Sequence, residues 1–188
     1  MKAITIANTF LALAKKEGRT LNLMQLQRLT ILAQCFSLSL TQKALTPEPI
    51  YAWAWGPVLP SLYQEFAQWG SQGIEHFQNP DAASEETEFI AEIWESCKHL
   101  SPQHLYALTN TKPWQEVWQS NPNSQIPQEA IVKSFRTVPT PVESQVSRII
   151  KEFPPEPTAD EILDLHRLNK SLKSNQLENF IRLLSAKL

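Results

Sequence analysis

The chain has 188 residues, a formal net charge of −2, four glycines, fourteen prolines and two cysteines. That length suits one domain with at most a small appendage, and its core needs no disulfide or metal to hold it. The near-balanced charge argues against a generic polyanion binder, so nucleic acid is not the expected partner; no basic-then-apolar leader and no run of eighteen apolar residues stands in the sequence, so a cytoplasmic protein without a membrane span is expected.

In chain order, Ile6, Phe10 and Leu13 recur on one face of a first helix that Gly18 terminates. Asn22 can cap a second helix at the amide of Gln25, and Leu26, Leu29, Ala33, Phe36 and Leu40 then form one stripe, as a central helix would. In "TPEPIYAWAWGPV" the prolines Pro47, Pro49 and Pro57 remove backbone donors and push their neighbours toward extended conformations, which predicts a structured, mostly non-helical connection. Only "PIYAWAW" within it alternates as a strand would.

Pro60 opens a further helix with Leu62, Phe66 and Trp69 on one side and Gly70 at its end. The polar "NPDAASEETE" runs into a helix whose apolar face is Phe89, Ile90, Ile93, Trp94 and Cys97, and Ser101-Pro102 opens another through Leu105 and Leu108. "KPWQEVWQSNPNSQIP" reads as a loop, and Ile131, Val132 and Phe135 mark the next helix. Beyond Arg136, the proline-interrupted "TVPTPVE" and "FPPEPTADE" are linkers, and the capping boxes Thr140-x-x-Glu143 and Thr158-x-x-Glu161 open helices of a tail with about three in all. The expected fold is all-α: a compact multi-helix domain over residues 1–136 with a structured Gly-Pro-Val connection, and a C-terminal helical extension over 137–188.

Catalytic strings are missing. Four scattered glycines build neither a P-loop nor a dinucleotide fingerprint, and no G-x-S-x-G or H-E-x-x-H occurs, so no enzyme and no cofactor is expected. Cys97, His99 and His104 are the one metal-like grouping, but Cys97 and His99, two apart if they share a helix, face different sides and cannot chelate together, so no metal site is expected either. Glu85, Glu86, Glu88, Glu92 and Glu95 have no His or metal partner and read as a solvated face, while Cys35 and Cys97 read as small core thiols. Lys15, Lys16 and Arg19 between the first two helices have the spacing of a helix-turn-helix, which makes a DNA-binding regulator the alternative function. Arg28 is the one basic residue of its second helix, however, and Gln25 and Gln27 lack phosphate-binding neighbours, so two core helices joined by a polar turn is the favoured reading.

The strip "AWAWGPVLPSLY" carries two readings. In one, Trp53 fills core, Gly56 permits a tight turn, and Pro57 and Pro60 set up the next helix. In the other, Tyr51, Trp53 and Trp55 lie on one side of an extended segment and form an aromatic rim that grips a partner.

Three landmarks, in order, resemble the Panacea domain of SocA-like antitoxins from bacteria and their phages: Leu26, Gln27, Arg28 and Leu29; Ala52, Trp53, Gly56, Pro57, Val58 and Pro60; and Leu105, Pro113 and Trp114. The resemblance runs from about Thr5 to Arg136. Arg28 stands where the family has lysine, and Thr30-Ile31 replaces an aromatic-containing pair, which alters a pocket that the family lines with tyrosine. The resemblance implies a helical domain without enzymatic activity or cofactor, which neutralises a cognate protein toxin encoded by an adjacent gene, in one family type by delivering it to a protease as an adaptor. The nominated partner-binding residues are Arg28, Tyr51, Trp53, Trp55, Gly56, Pro57, Val58 and Tyr63. Arg28 is further expected to pack its stem and pair its guanidinium with a carbonyl or a buried carboxylate, Glu65 being the candidate.

Overall fold

The computed structural model describes residues 1–80 and 84–136; the expected helical extension over 137–188 lies outside the described residues. Helix α1 is Ala3–Lys16, and past its end Gly18 takes φ +68°, which lets the amides of Gly18 and Arg19 return to the carbonyls of Lys15 and Ala14. Its first turn receives a cap from a distance: Ala3 N–H donates to Glu48 Oε1 at 2.7 Å, and the Ser61 hydroxyl donates to the other oxygen of the same carboxylate.

Helix α2, Leu23–Thr41, starts on a capping box in which Asn22 Oδ1 accepts from Gln25 N–H at 2.9 Å and Gln25 Oε1 accepts from Asn22 N–H at 3.1 Å. The expected stripe holds at Leu26, Leu29 and Ala33, which are buried, while Phe36 is half-buried. Burial goes much further around the helix than one stripe, because α1, α3, α4, α5 and α7 all pack on it. Gln27, Arg28, Thr30 and Gln34 are buried there along with the leucines.

Strands β1, Tyr51–Trp53, and β2, Gly56–Val58, form an antiparallel hairpin in the non-helical connection. Helix α3, Pro60–Phe66, begins on its proline, continues as a short 3₁₀ turn over Ala67–Trp69 and stops at Gly70, φ +54°. Helix α4, Glu85–Cys97, is capped by Ser84 and Thr87, and α5, Pro102–Thr109, by Ser101 and His104. The five glutamates of the α4 region are exposed.

The segment read as a loop is corrected: Lys112–Ser120 is helix α6, with Pro113 in its first turn. Proline costs nothing at that place, because the amide it lacks has no intrahelical acceptor anyway, so Pro113 marks a start rather than a break. Helix α7, Gln128–Arg136, closes the described chain with Ile131 buried. Among the described residues the fold is all-α apart from the hairpin. Its core joins Ile6 and Phe10 of α1, Leu26, Leu29 and Leu32 of α2, Leu62 and Phe66 of α3, and Ile90 and Trp94 of α4. Among the described residues no helix is long and apolar enough to cross a membrane.

Candidate functional site

The hairpin register is Tyr51 opposite Val58, Ala52 opposite Pro57 and Trp53 opposite Gly56, leaving Ala54 and Trp55 as the turn. Neither turn residue has positive φ; Gly56 takes the φ of +123° that closes the hairpin and that an L side chain rarely adopts. Alternation therefore ends at Trp53, and the expectation of one continuous extended face carrying Tyr51, Trp53 and Trp55 is corrected: Trp55 sits in the turn. Ala52 turns its backbone away from Pro57, which has no N–H. Its own N–H donates to Ser124 O at 2.9 Å, its carbonyl accepts from Asn123 N–H at 2.8 Å, and Ile126 N–H donates to Ile50 O at 2.8 Å. β1 thus lies between β2 and the segment leading into α7.

Beneath the hairpin the proline-rich connection is held by polar side chains of α2. Gln34 donates to Thr46 O at 3.1 Å and accepts from Thr46 N–H at 2.9 Å; Gln27, two turns earlier on the same helix face, does the same to Leu59 at 2.9 and 3.0 Å. The Ser37 hydroxyl donates to Lys43 O at 2.8 Å. These bonds satisfy backbone groups that the prolines leave without a regular ladder.

Arg28 is 1 % exposed. Its Nη1 donates to Thr109 Oγ1 at 3.0 Å and to Asn110 Oδ1 at 2.6 Å, its Nη2 donates to the carbonyl of Trp55, and its guanidinium lies 5.1 Å from the ring centre of Tyr106. Thr109 and Asn110 end α5, where the macrodipole favours a cation. The expected carbonyl partner is Trp55; the carboxylate candidate is corrected, since Glu65 is exposed on α3 and the guanidinium reaches a hydroxyl and an amide instead. A Cβ at Gly56 would overlap the guanidinium and Asn110 Oδ1, so a side chain there would have to displace the Arg28–Asn110 pair and would also adopt a strained φ.

Of the nominated residues, Arg28, Gly56, Pro57 and Val58 are buried, while Tyr51, Trp53, Trp55 and Tyr63 are half-buried. The rings of Trp53 and Tyr63 meet edge to face, 5.4 Å between centres at 69°. Burial pushes the Tyr63 hydroxyl above its ordinary pKa. Trp53 does not fill the core; Trp114 does, and its Nε1 donates to the Trp53 carbonyl at 2.9 Å. Thr109, Asn110, Gln34 and Glu48 escaped the sequence reading. The one signal for Gln34 is its seven-residue spacing from Gln27 on a helix otherwise apolar at its centre.

Ile31 lines a small cavity with Cys35, Pro57, Trp114 and Ile126. Burial pushes the Cys35 thiol up to about 12, as befits a packing residue. Among the described residues no three His, Cys, Asp or Glu side chains stand close enough to hold a metal. Of the contacts that a helix-turn-helix would need, Gln27 and Arg28 are buried, while Gln25 is half-buried and engaged in the capping box with Asn22.

Residues 26–115 match the family model described as antitoxin SocA-like, Panacea domain. That segment is similar to the Panacea domain of SocA-like antitoxins. The match spans just under half of the chain and is narrower than the resemblance from Thr5 to Arg136. It begins within α2 and ends within α6, so it encloses Arg28, the hairpin, the end of α5 and Trp114, and leaves out α1 and α7. The Panacea boundaries therefore contain the hairpin and its supports from α2, α5 and α6. Neither the curated proteins nor the solved structures contain a significant match.

Proposed function

We propose that this protein is an antitoxin that neutralises a cognate toxin by direct protein contact, and that the toxin is encoded by an adjacent gene. The observation that carries the reading is the SocA-like Panacea match over residues 26–115, in an antitoxin-like family. The half-buried Tyr51, Trp53, Trp55 and Tyr63 are the contact surface, with Arg28, Gly56, Pro57 and Val58 as the base that shapes it. Half-exposed aromatic rings on a rigid backbone supply contact area at low entropic cost, which is the character of an interface centre. The activity is binding, without catalysis, in the cytoplasm. The enclosed position of α2 speaks against the alternative of a DNA-binding regulator.

The test is co-expression of the full chain with each neighbouring gene, scored for growth. Rescue from one otherwise toxic product is the expected result; no rescue from any toxic neighbour defeats the proposal. The cellular level of the rescued toxin then separates two routes. A level that holds steady means inhibition by occupancy, and a level that falls in a protease-dependent way means delivery for degradation.

A further inference from the structure

We infer that Arg28, which is itself too buried to touch a partner, is the positioning residue that holds the Trp55 turn in its binding geometry; the inference rests on the proposed role of the aromatic rim. The guanidinium is a planar fork with fixed donor directions, so bonds from both of its terminal nitrogens constrain orientation as well as distance. One nitrogen is held at the end of α5 by Thr109 and Asn110, and the other reaches the Trp55 carbonyl. The guanidinium carbon also lies over the Tyr106 ring, 5.1 Å from its centre. The turn is therefore tied through Arg28 to two helices, α2 and α5.

The other side of the turn has its own anchor. Trp114 Nε1 holds the Trp53 carbonyl at 2.9 Å, so the main chain is gripped from below on both sides of Ala54. Above these anchors the rings of Trp53 and Trp55 stay half-exposed. A two-stranded hairpin alone is marginal in water, and a turn carrying a loose tryptophan would have to be ordered at the moment of binding. Taking a cation out of water is costly, and an apolar side chain would fill the same space at lower cost, so a packing role alone does not account for an arginine here. The Gly56 backbone completes the device, because its missing Cβ is what lets the guanidinium lie against the turn.

The test uses the full chain and three variants, Arg28→Met, Arg28→Lys and Trp55→Ala. Three quantities are measured: the melting midpoint, amide hydrogen exchange of the hairpin without partner, and the dissociation rate from the adjacent-gene product that the wild type neutralises. Arg28→Met is expected to fold, to exchange its hairpin amides at least about tenfold faster while those of α1 and α4 change less, and to release the toxin about tenfold faster. Arg28→Lys, with the charge but not the fork, falls between the two. Hairpin exchange at the wild-type rate in folded Arg28→Met overturns the inference, and so does faster exchange with unchanged release. In that second case Trp55→Ala decides the fate of the rim: faster release by this variant preserves the rim as the contact surface, and unchanged release removes it too. Should Arg28→Met fail to fold, the same criteria apply to Arg28→Lys.

Discussion

On the side of α1 and α4 the core consists chiefly of apolar groups, among them Ile6, Phe10, Leu11, Ala14, Ile90, Ile93 and Trp94, and the polar links lie near the surface, where Lys98 bridges Glu17 and Glu95 at 2.9 and 2.8 Å. On the side of the hairpin, buried Gln27, Arg28, Gln34, Thr109 and Asn110 bond to backbone or to one another. Apolar contact is non-directional and tolerates a change of shape when volume is kept, whereas a buried hydrogen bond ties one atom to one atom and leaves an expensive orphan if broken. The first side can drift in sequence without moving the backbone. The second fixes the path of a connection that, rich in proline, has little regular structure of its own.

The sharpest way to break this contrast is at Gly56. Gly56→Val adds backbone strain at φ +123° to an overlap with the Arg28 guanidinium, and is expected to cost about 4 kcal/mol, read as a lowered denaturation midpoint. A loss under about 1 kcal/mol would show that the hairpin yields easily and that Arg28 and Asn110 do not fix it. Gln34→Leu keeps volume but orphans the amide and carbonyl of Thr46, and about 2 to 3 kcal/mol is expected from chemical unfolding. On the apolar side Ile93→Val removes one methylene and is expected to cost about 1 kcal/mol. If Gln34→Leu proves no costlier than Ile93→Val, the two regions do not differ as described.

The smallest effect concerns Glu17, whose carboxyl is held below its ordinary value of 4.5 by hydrogen bonds from Lys98 and from Trp94 Nε1. A carboxylate with a lowered folded pKa stabilises the fold above its ordinary value, and that contribution is lost as pH falls through the lowered one. Glu17→Gln should therefore lower the melting midpoint slightly at neutral pH, and the difference from wild type should shrink below pH 4.5. A difference that persists unchanged in acid would assign the effect to something other than charge.

What could be read from sequence were features that depend on near neighbours along the chain. Helices α1, α2 and α4 announced themselves by apolar spacing and by caps such as Asn22 with Gln25, and Gly56 was legible as a special turn because glycine is so rare here. Helix α6 was hidden by the two tryptophans and the proline at its start. The links that shape the candidate site were not legible, because they join residues far apart: Gln34 to Thr46, Gln27 to Leu59, and Arg28 to Asn110. A glutamine in a helix gives no local sign that its amide will meet one residue's backbone 32 positions later. Arg28 was singled out by its place in a motif, with only its carbonyl contact foreseen in kind.

The remote supports of the hairpin also set a timetable for synthesis. The turn at Ala54 and Trp55 leaves the ribosome early and can fold back locally, yet the Trp114 indole that holds Trp53 lies 61 positions further on, and Asn110, which holds Arg28, lies 82 positions after that arginine. At roughly 5 to 20 residues per second, the nascent chain spends several seconds with its aromatic rings made but not yet braced. On the proposed function, binding capacity should therefore appear abruptly, once α5 and α6 have emerged, and a chain that stalls before Trp114 should compete poorly with a finished one for the proposed toxin.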